Sequence, residues 1–269
     1  MARVEVSRRG RWAWLALALL SLLGCQRHDD AERELTVFAA ASLREVFEDL
    51  AAAFEAEHPG VHVVVHSAGT QQLRRQIELG APADVLAGAS ERHLDALHAA
   101  GRIEAPRTFA SNALVVVLAP GSKPAMATFS QLPTLARLAI GGPDVPVGRY
   151  TRAMLDAAAG AGLPDDFGTR VLARVVAEEA DVRRVLTRVR LGEVDAGVVY
   201  RTDVAAARDA LPTLAVPDAL QPAIRYPIAR VTGGSSPALA QGFIETVLGE
   251  PGRSRLHRAG FALPPEGAR

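Results

Sequence analysis

The sequence predicts the α/β class with parallel sheets, and three observations carry that reading. Short apolar runs alternate with segments of helical periodicity from residue 35 onward. Apolar residues make up 49% of the chain, ample material for packed cores. Once a leader is removed, about 245 residues remain, near the size at which one core divides into two.

Leu35 to Ala41 is the first predicted strand. Ser42 to His58 carries Leu43, Val46, Phe47, Leu50 and Phe54 at helical spacing, and Pro59-Gly60 stops it. Val61 to His66 is the second strand, Gln71 to Leu79 a helix closed by Gly80, and Val85 to Ala87 a short third strand. A helix from Ser90 to Ala100 ends at Gly101, and the apolar stretch Ala113 to Ala119 runs as a strand into Pro120-Gly121. The pattern then restarts. Strands are expected at Leu138 to Ile140, Val175 to Ala177 and Ala196 to Val199, with helices near Tyr150 to Ala159, Asp166 to Leu172 and Asp181 to Leu191. Ile224 to Val231 is the last strand, followed by helices from Pro237 to Leu248 and from Gly252 to Arg258.

The start of the chain sets the compartment. Arg3, Arg8, Arg9 and Arg11 form a basic region, and the apolar stretch from Trp12 to Leu23 follows, interrupted only by Ser21. A membrane-spanning helix needs about 20 apolar residues, so this shorter stretch reads as a signal-peptide core. It ends in Leu22-Leu23-Gly24-Cys25, which resembles the bacterial lipobox. The resemblance implies cleavage after residue 24 and lipidation of the Cys25 thiol, and the polar residues 25–34 then read as a tether. Gly10 and Arg11 break the twin-arginine pattern that Arg8-Arg9 suggests. The formal net charge is +0, which is not basic enough for a nucleic-acid partner. Cys25 is the only cysteine, so neither a disulfide nor a thiolate metal site is expected.

Function points to the carboxyl ends of the strands, where open α/β sheets hold ligands. Four helix starts lie there. They are Ala39-Ala40-Ala41-Ser42, Ser67-Ala68-Gly69-Thr70, the loop from Gly141 to Gly148, and Glu178-Glu179-Ala180-Asp181-Val182. A helix start presents unpaired N–H groups and a partial positive charge, so converging starts bind an anion without any cationic side chain. Each also has a plainer reading. Ser42-Leu43-Arg44-Glu45 fits a capping box, which spacing alone favours; Thr70 and Asp181 are good N-caps; Tyr200 is a packed aromatic with a bonded hydroxyl.

Motifs spread over the chain shift that balance. Val37-Phe38-Ala39-Ala40-Ala41-Ser42-Leu43, Leu73 to Glu78 with Gly80-Ala81-Pro82-Ala83-Asp84, Asn112 to Val117, Gly197-Val198-Val199-Tyr200, Tyr226-Pro227-Ile228 and Gly260-Phe261 resemble the periplasmic molybdate-binding proteins, in that family's order. The resemblance implies a type II periplasmic binding fold, with lobe one at residues 35–113 and 226–269 and lobe two at 114–225. It implies a bound oxyanion, molybdate or tungstate, held by Ser42, Thr70 and Tyr200 through hydroxyls and by Val147 and Val182 through backbone N–H groups. It also implies a monomer with no cofactor, which serves the permease and ATPase of an ABC importer and is tethered by its lipid anchor. The chain departs from the family at Ala68-Gly69-Thr70, where serines are usual, at Val147, where alanine is usual, and in a third loop one residue shorter.

Two alternatives remain: the same fold with sulfate or a carboxylate, and a secreted hydrolase. His58, His62 and His66 lie close in sequence, but a zinc site needs three or four converging ligands. No nucleophile elbow, zinc-protease motif or phosphate loop is present, and Ser42 has no neighbouring base to activate it.

Overall fold

The computed structural model describes residues 33–121, 128–207 and 210–265. The expected leader, Cys25 and most of the tether lie outside the described residues. The two residues at the far end of the expected tether are strand instead. Arg33 and Glu34 already belong to the first strand, where they pair with Val61 and His62.

Strands β1 (Arg33–Ala40), β2 (Val61–Ala68), β3 (Val85–Ala87), β4 (Arg107–Asn112) and β10 (Ile224–Arg230) form one sheet in the order β2-β1-β3-β10-β4. Strands β5 (Leu114–Leu118), β6 (Leu138–Gly141), β7 (Val175–Glu179), β8 (Ala196–Tyr200) and β9 (Thr213–Ala215) form a second in the order β7-β6-β8-β5-β9. Both sheets are mixed rather than purely parallel. β1 runs parallel to β2 and β3, and β6 to β7 and β8, while β10 and β5 pair antiparallel with their neighbours. The two sheets thus share one plan, a central parallel strand flanked by two others, although the sequence shows no repeat.

The helices cover these sheets because their apolar residues fall on one stripe. In α1 (Arg44–Glu57) that stripe is Val46, Phe47, Leu50 and Phe54; in α6 (Val182–Arg190) it is Val182, Val185, Leu186 and Val189. Phe47 packs edge-on against Phe109, and Phe54 against Phe243 of α8 (Pro237–Leu248), which closes the first sheet's core. Phe129 and Phe167 meet over the second sheet at 5.5 Å. The remaining helices are α2 (Thr70–Glu78), α3 (Glu91–Ala99), α4 (Pro146–Asp156), α5 (Phe167–Leu172), α7 (Arg201–Ala206) and α9 (Glu250–Arg258). Asp84, in the Gly80-to-Asp84 motif, is a structural tie: its carboxylate accepts from the N–H groups of Thr36 and Ser236, so it joins β1 to the start of α8.

The chain passes between the sheets twice. Ala113 separates β4 from β5, and the return runs from β9 into β10. At this crossing the Gln221 side chain imitates a strand. Its Oε1 accepts from Leu114 N–H and its Nε2 donates to the Leu114 carbonyl, both at 2.9 Å. Pro227, which has no N–H, coincides with a shift of register between β10 and β4.

Candidate functional site: a donor-lined cavity between the sheets

The parallel strands of each sheet end at a single small cavity of about 20 Å³. The turn after β1 delivers Ser42, that after β2 delivers Thr70 and that after β3 delivers Ala89; β6 leads to Val147, β7 to Val182, and Tyr200 ends β8. This is the crevice at the strands' carboxyl ends where such sheets place ligands. Ser42, Thr70, Val147, Val182 and Tyr200, the five residues expected from sequence, all line it and are all buried.

Ser42 is not the cap that its spacing suggested. It sits in a 3-10 turn, Ala41–Leu43, and the N-cap of α1 is Leu43, with no side-chain cap bond. The Ser42 hydroxyl instead meets the Tyr226 hydroxyl at 3.1 Å. Thr70 is likewise no cap. Gly69 holds that position, and Thr70 Oγ1 accepts from Ala89 N–H at 3.1 Å, which leaves the Thr70 hydroxyl hydrogen free to turn inward. Asp181 does cap, since its carboxylate accepts from Arg184 N–H at 3.0 Å.

Val147 lies deeper in a helix than expected, because α4 begins at Pro146 and not near residue 150. Proline suits a first helical position, and Val147 and Val182 therefore both lie in first turns, where backbone N–H groups have no acceptor within their own helix. Gly148 explains how α4 approaches so closely. A Cβ there would collide with the carbonyl oxygens of Gly141 and Gly142, so only glycine lets the helix start rest on the end of β6.

The Tyr200 ring packs edge-on to Tyr226 at 5.9 Å, while its buried hydroxyl has no hydrogen-bond partner among the described residues. Burial, then the neighbouring Tyr226, pushes its pKa well above the usual phenol value, so it stays a donor. Among the described residues, no lysine, arginine or histidine side chain lines the cavity. Asp181 also lines it, with its carboxylate turned to Arg184 N–H, and the other polar groups there are hydroxyls and the N–H donors at the starts of α2, α4 and α6, each at least eight residues long. Such a lining offers hydrogen bonds and partial positive charge to an anion.

Contacts between the lobes close over this cavity. Gln71 Nε2 donates to the Ala180 carbonyl at 2.7 Å, the His93 Nε2 meets the Asp144 carbonyl at 2.9 Å, and Arg183 of α6 pairs with Glu45 of α1. Burial chiefly lowers the His93 pKa, which keeps the ring neutral. Arg183 Nε also lies 3.0 Å from Asp203 Oδ1, an ion pair without hydrogen-bond alignment. Asp203 is fully buried and accepts from Tyr200 N–H at 3.1 Å; burial raises its pKa to about 7 against the opposing pull of Arg183. Asp203, Arg183 and Ala89 support the site, and sequence reasoning missed all three.

The three adjacent histidines hold no common centre. His58 bonds the Phe54 carbonyl, His62 bonds Glu55 and His66 stacks edge-on to Phe38. Among the described residues, no three histidine, cysteine, aspartate or glutamate side chains are placed to hold a metal ion.

Comparison with known proteins agrees with this geometry. The chain is 34% identical to the molybdate-binding protein ModA of Mycobacterium tuberculosis, over 94% of this chain and 100% of that one. In fold it is similar to the periplasmic molybdate-binding protein of Azotobacter vinelandii, with a TM-score of 0.73 at 23% identity over 86% of this chain and 99% of that one. It is also similar to the sulfate-binding protein SubI of Mycobacterium tuberculosis, with a TM-score of 0.76 at 17% identity over 87% and 88%. The fold is therefore the two-domain periplasmic binding protein fold. The family of bacterial extracellular solute-binding proteins matches residues 35–262. These are transport components rather than enzymes and need no cofactor; with two such sheets closing on one donor-lined cavity, the chain belongs to the bacterial extracellular solute-binding protein family.

Proposed function

We propose that this protein captures molybdate, and also tungstate, and delivers it to the permease and ATPase of an ABC importer. The observation that carries this reading is a small cation-free cavity lined by donors from both lobes. The 34% identity to a molybdate-binding protein over its whole length supports it. The ligand contacts are the hydroxyls of Ser42, Thr70 and Tyr200 and the N–H groups of Val147 and Val182. Lobe one comprises residues 35–113 and 226–269 and lobe two residues 114–225, so each lobe supplies part of the contact set. Binding then closes the cleft about the two crossings, because only a closed form brings both sets of donors to one ion. The chain acts as an exported monomer, held at the membrane by a lipid on Cys25.

Calorimetric titration with molybdate, tungstate, sulfate and phosphate tests the reading. At neutral pH molybdate carries no proton, whereas phosphate usually keeps one. With the Asp181 carboxylate engaged by Arg184 N–H, the donors that remain leave that proton without an acceptor, at a cost of about 1–3 kcal/mol, so molybdate should bind roughly tenfold or more tightly than phosphate. Equal affinities would refute donor-based selection, and preferential binding of sulfate would reassign the ligand within the same fold.

Val147→Ala should leave molybdate affinity within a few-fold, because only the backbone N–H is used. A large loss by calorimetry would show that the valine side chain shapes the site.

A further inference from the structure

Ser42 reaches the cavity through a directed chain of hydrogen bonds. Its Oγ lies 3.1 Å from the Tyr226 hydroxyl, and Asn112 Nδ2 lies 3.2 Å from that same hydroxyl and 2.8 Å from Thr202 Oγ1. The backbone decides which way the Asn112 amide faces. Ala113 N–H donates to Asn112 Oδ1 at 2.9 Å, so the amide oxygen faces Ala113 and the NH₂ faces Tyr226 and Thr202. An amide NH₂ can only donate. The Tyr226 oxygen is thus the acceptor from Asn112, and its own hydrogen needs an acceptor because the residue is fully buried. Ser42 Oγ is in reach. Tyr226 therefore donates to Ser42, engages the serine oxygen, and leaves the Ser42 hydrogen to turn into the cavity.

We propose that Asn112 and Tyr226 are positioning residues that set the hydrogen-bonding polarity of the cavity: the relay from Asn112 through Tyr226 holds Ser42 as a donor and so favours a fully deprotonated oxyanion over one that carries a proton. This rests on the oxyanion reading above. The relay is built on the hinge itself, since Asn112 ends β4 at one crossing and Tyr226 lies in β10 just after the other. Selectivity is then held by residues that need not touch the ligand.

A double-mutant cycle of Tyr226→Phe and Ser42→Ala, read by calorimetry in mildly alkaline buffer, tests this. Molybdate is titrated directly and hydrogen phosphate by competition against it. Tyr226→Phe should weaken molybdate by roughly five- to tenfold and hydrogen phosphate by less, which narrows the preference between them. In the Ser42→Ala background, Tyr226→Phe should cost nothing further. The same loss in both backgrounds, or an equal loss for both anions, would make Tyr226 a packing residue and overturn the relay. Asn112→Asp gives a second route. Its carboxylate still accepts from Ala113 N–H but draws the Tyr226 hydrogen toward itself, so the Ser42 hydrogen turns toward Tyr226 and away from the cavity. Both anions are then dianions and feel the added charge alike, so a narrowed preference supports the relay and an unchanged one overturns it. A parent protein that binds no oxyanion removes the functional reading and the relay with it, whereas binding with additive losses removes the relay alone.

Discussion

Gly69→Ala should weaken molybdate binding by up to about a hundredfold while the chain still folds, because the new methyl group meets the opposite lobe. A Cβ on Gly69 would lie 2.5 Å from the Ala180 carbonyl oxygen and 2.6 Å from Gln71 Nε2. The glutamine can swing aside, but only by giving up its bond to that carbonyl; the carbonyl is backbone and cannot. Either response pushes the lobes apart at the cavity rim. Nothing in Gly69's own conformation demands glycine, since its φ of −60° and ψ of 137° suit any residue. Fold and closure are therefore separable here. Calorimetry with circular dichroism reads the two effects, and small-angle scattering should show that molybdate compacts the parent more than the variant. A folded variant that binds like the parent would mean that the lobes do not need to approach this closely.

The second large effect is a pH dependence of stability that originates at Asp203. Its carboxyl titrates near pH 7 in the folded chain against about 3.9 when unfolded. Between those values the folded state holds a proton that the unfolded state has released, so the unfolded state binds fewer protons and stability falls as pH rises. The contribution is complete below the unfolded pKa and is lost as pH climbs to the folded one, at about 1.4 kcal/mol per pH unit. Asp203→Asn keeps an oxygen for Tyr200 N–H but does not titrate, so its stability should change less across this window. Urea denaturation of both proteins at about pH 5 and about pH 7 measures the difference. Identical pH slopes would place the burden elsewhere.

Much of this molecule was legible in its sequence, for reasons that differ from element to element. Strands such as Val85–Ala87 and helices such as Pro237–Leu248 declared themselves because apolar periodicity and a flanking proline or glycine agree. β4 was missed since Arg107–Asn112 is an edge strand with few apolar residues, and β9 since it spans only Thr213–Ala215. The start of α4 was misread because Pro146 and Gly148 look like a turn until the close approach to β6 gives the glycine its purpose. Among the site residues, motif resemblance picked five residues that do line the cavity, yet it could not show what engages them. Tyr226 is 184 positions from Ser42 and Asn112 is 114 from Tyr226, and no local pattern links residues so distant. Spacing favoured a cap for Ser42 because a capping box is local, whereas the contact that displaced it is not.

The bridges between the lobes also bear on time. On the proposed reading, an ion held between walls from both sheets leaves when the bridges of Gln71, His93 and Arg183 between those walls open. Its rate of escape is therefore capped by how often the crossings at Ala113 and β10 flex, however weak the bonds inside. Any anion that fits departs under the same ceiling, and on the proposed reading an importer that pries the lobes apart governs discharge without competing for a single donor.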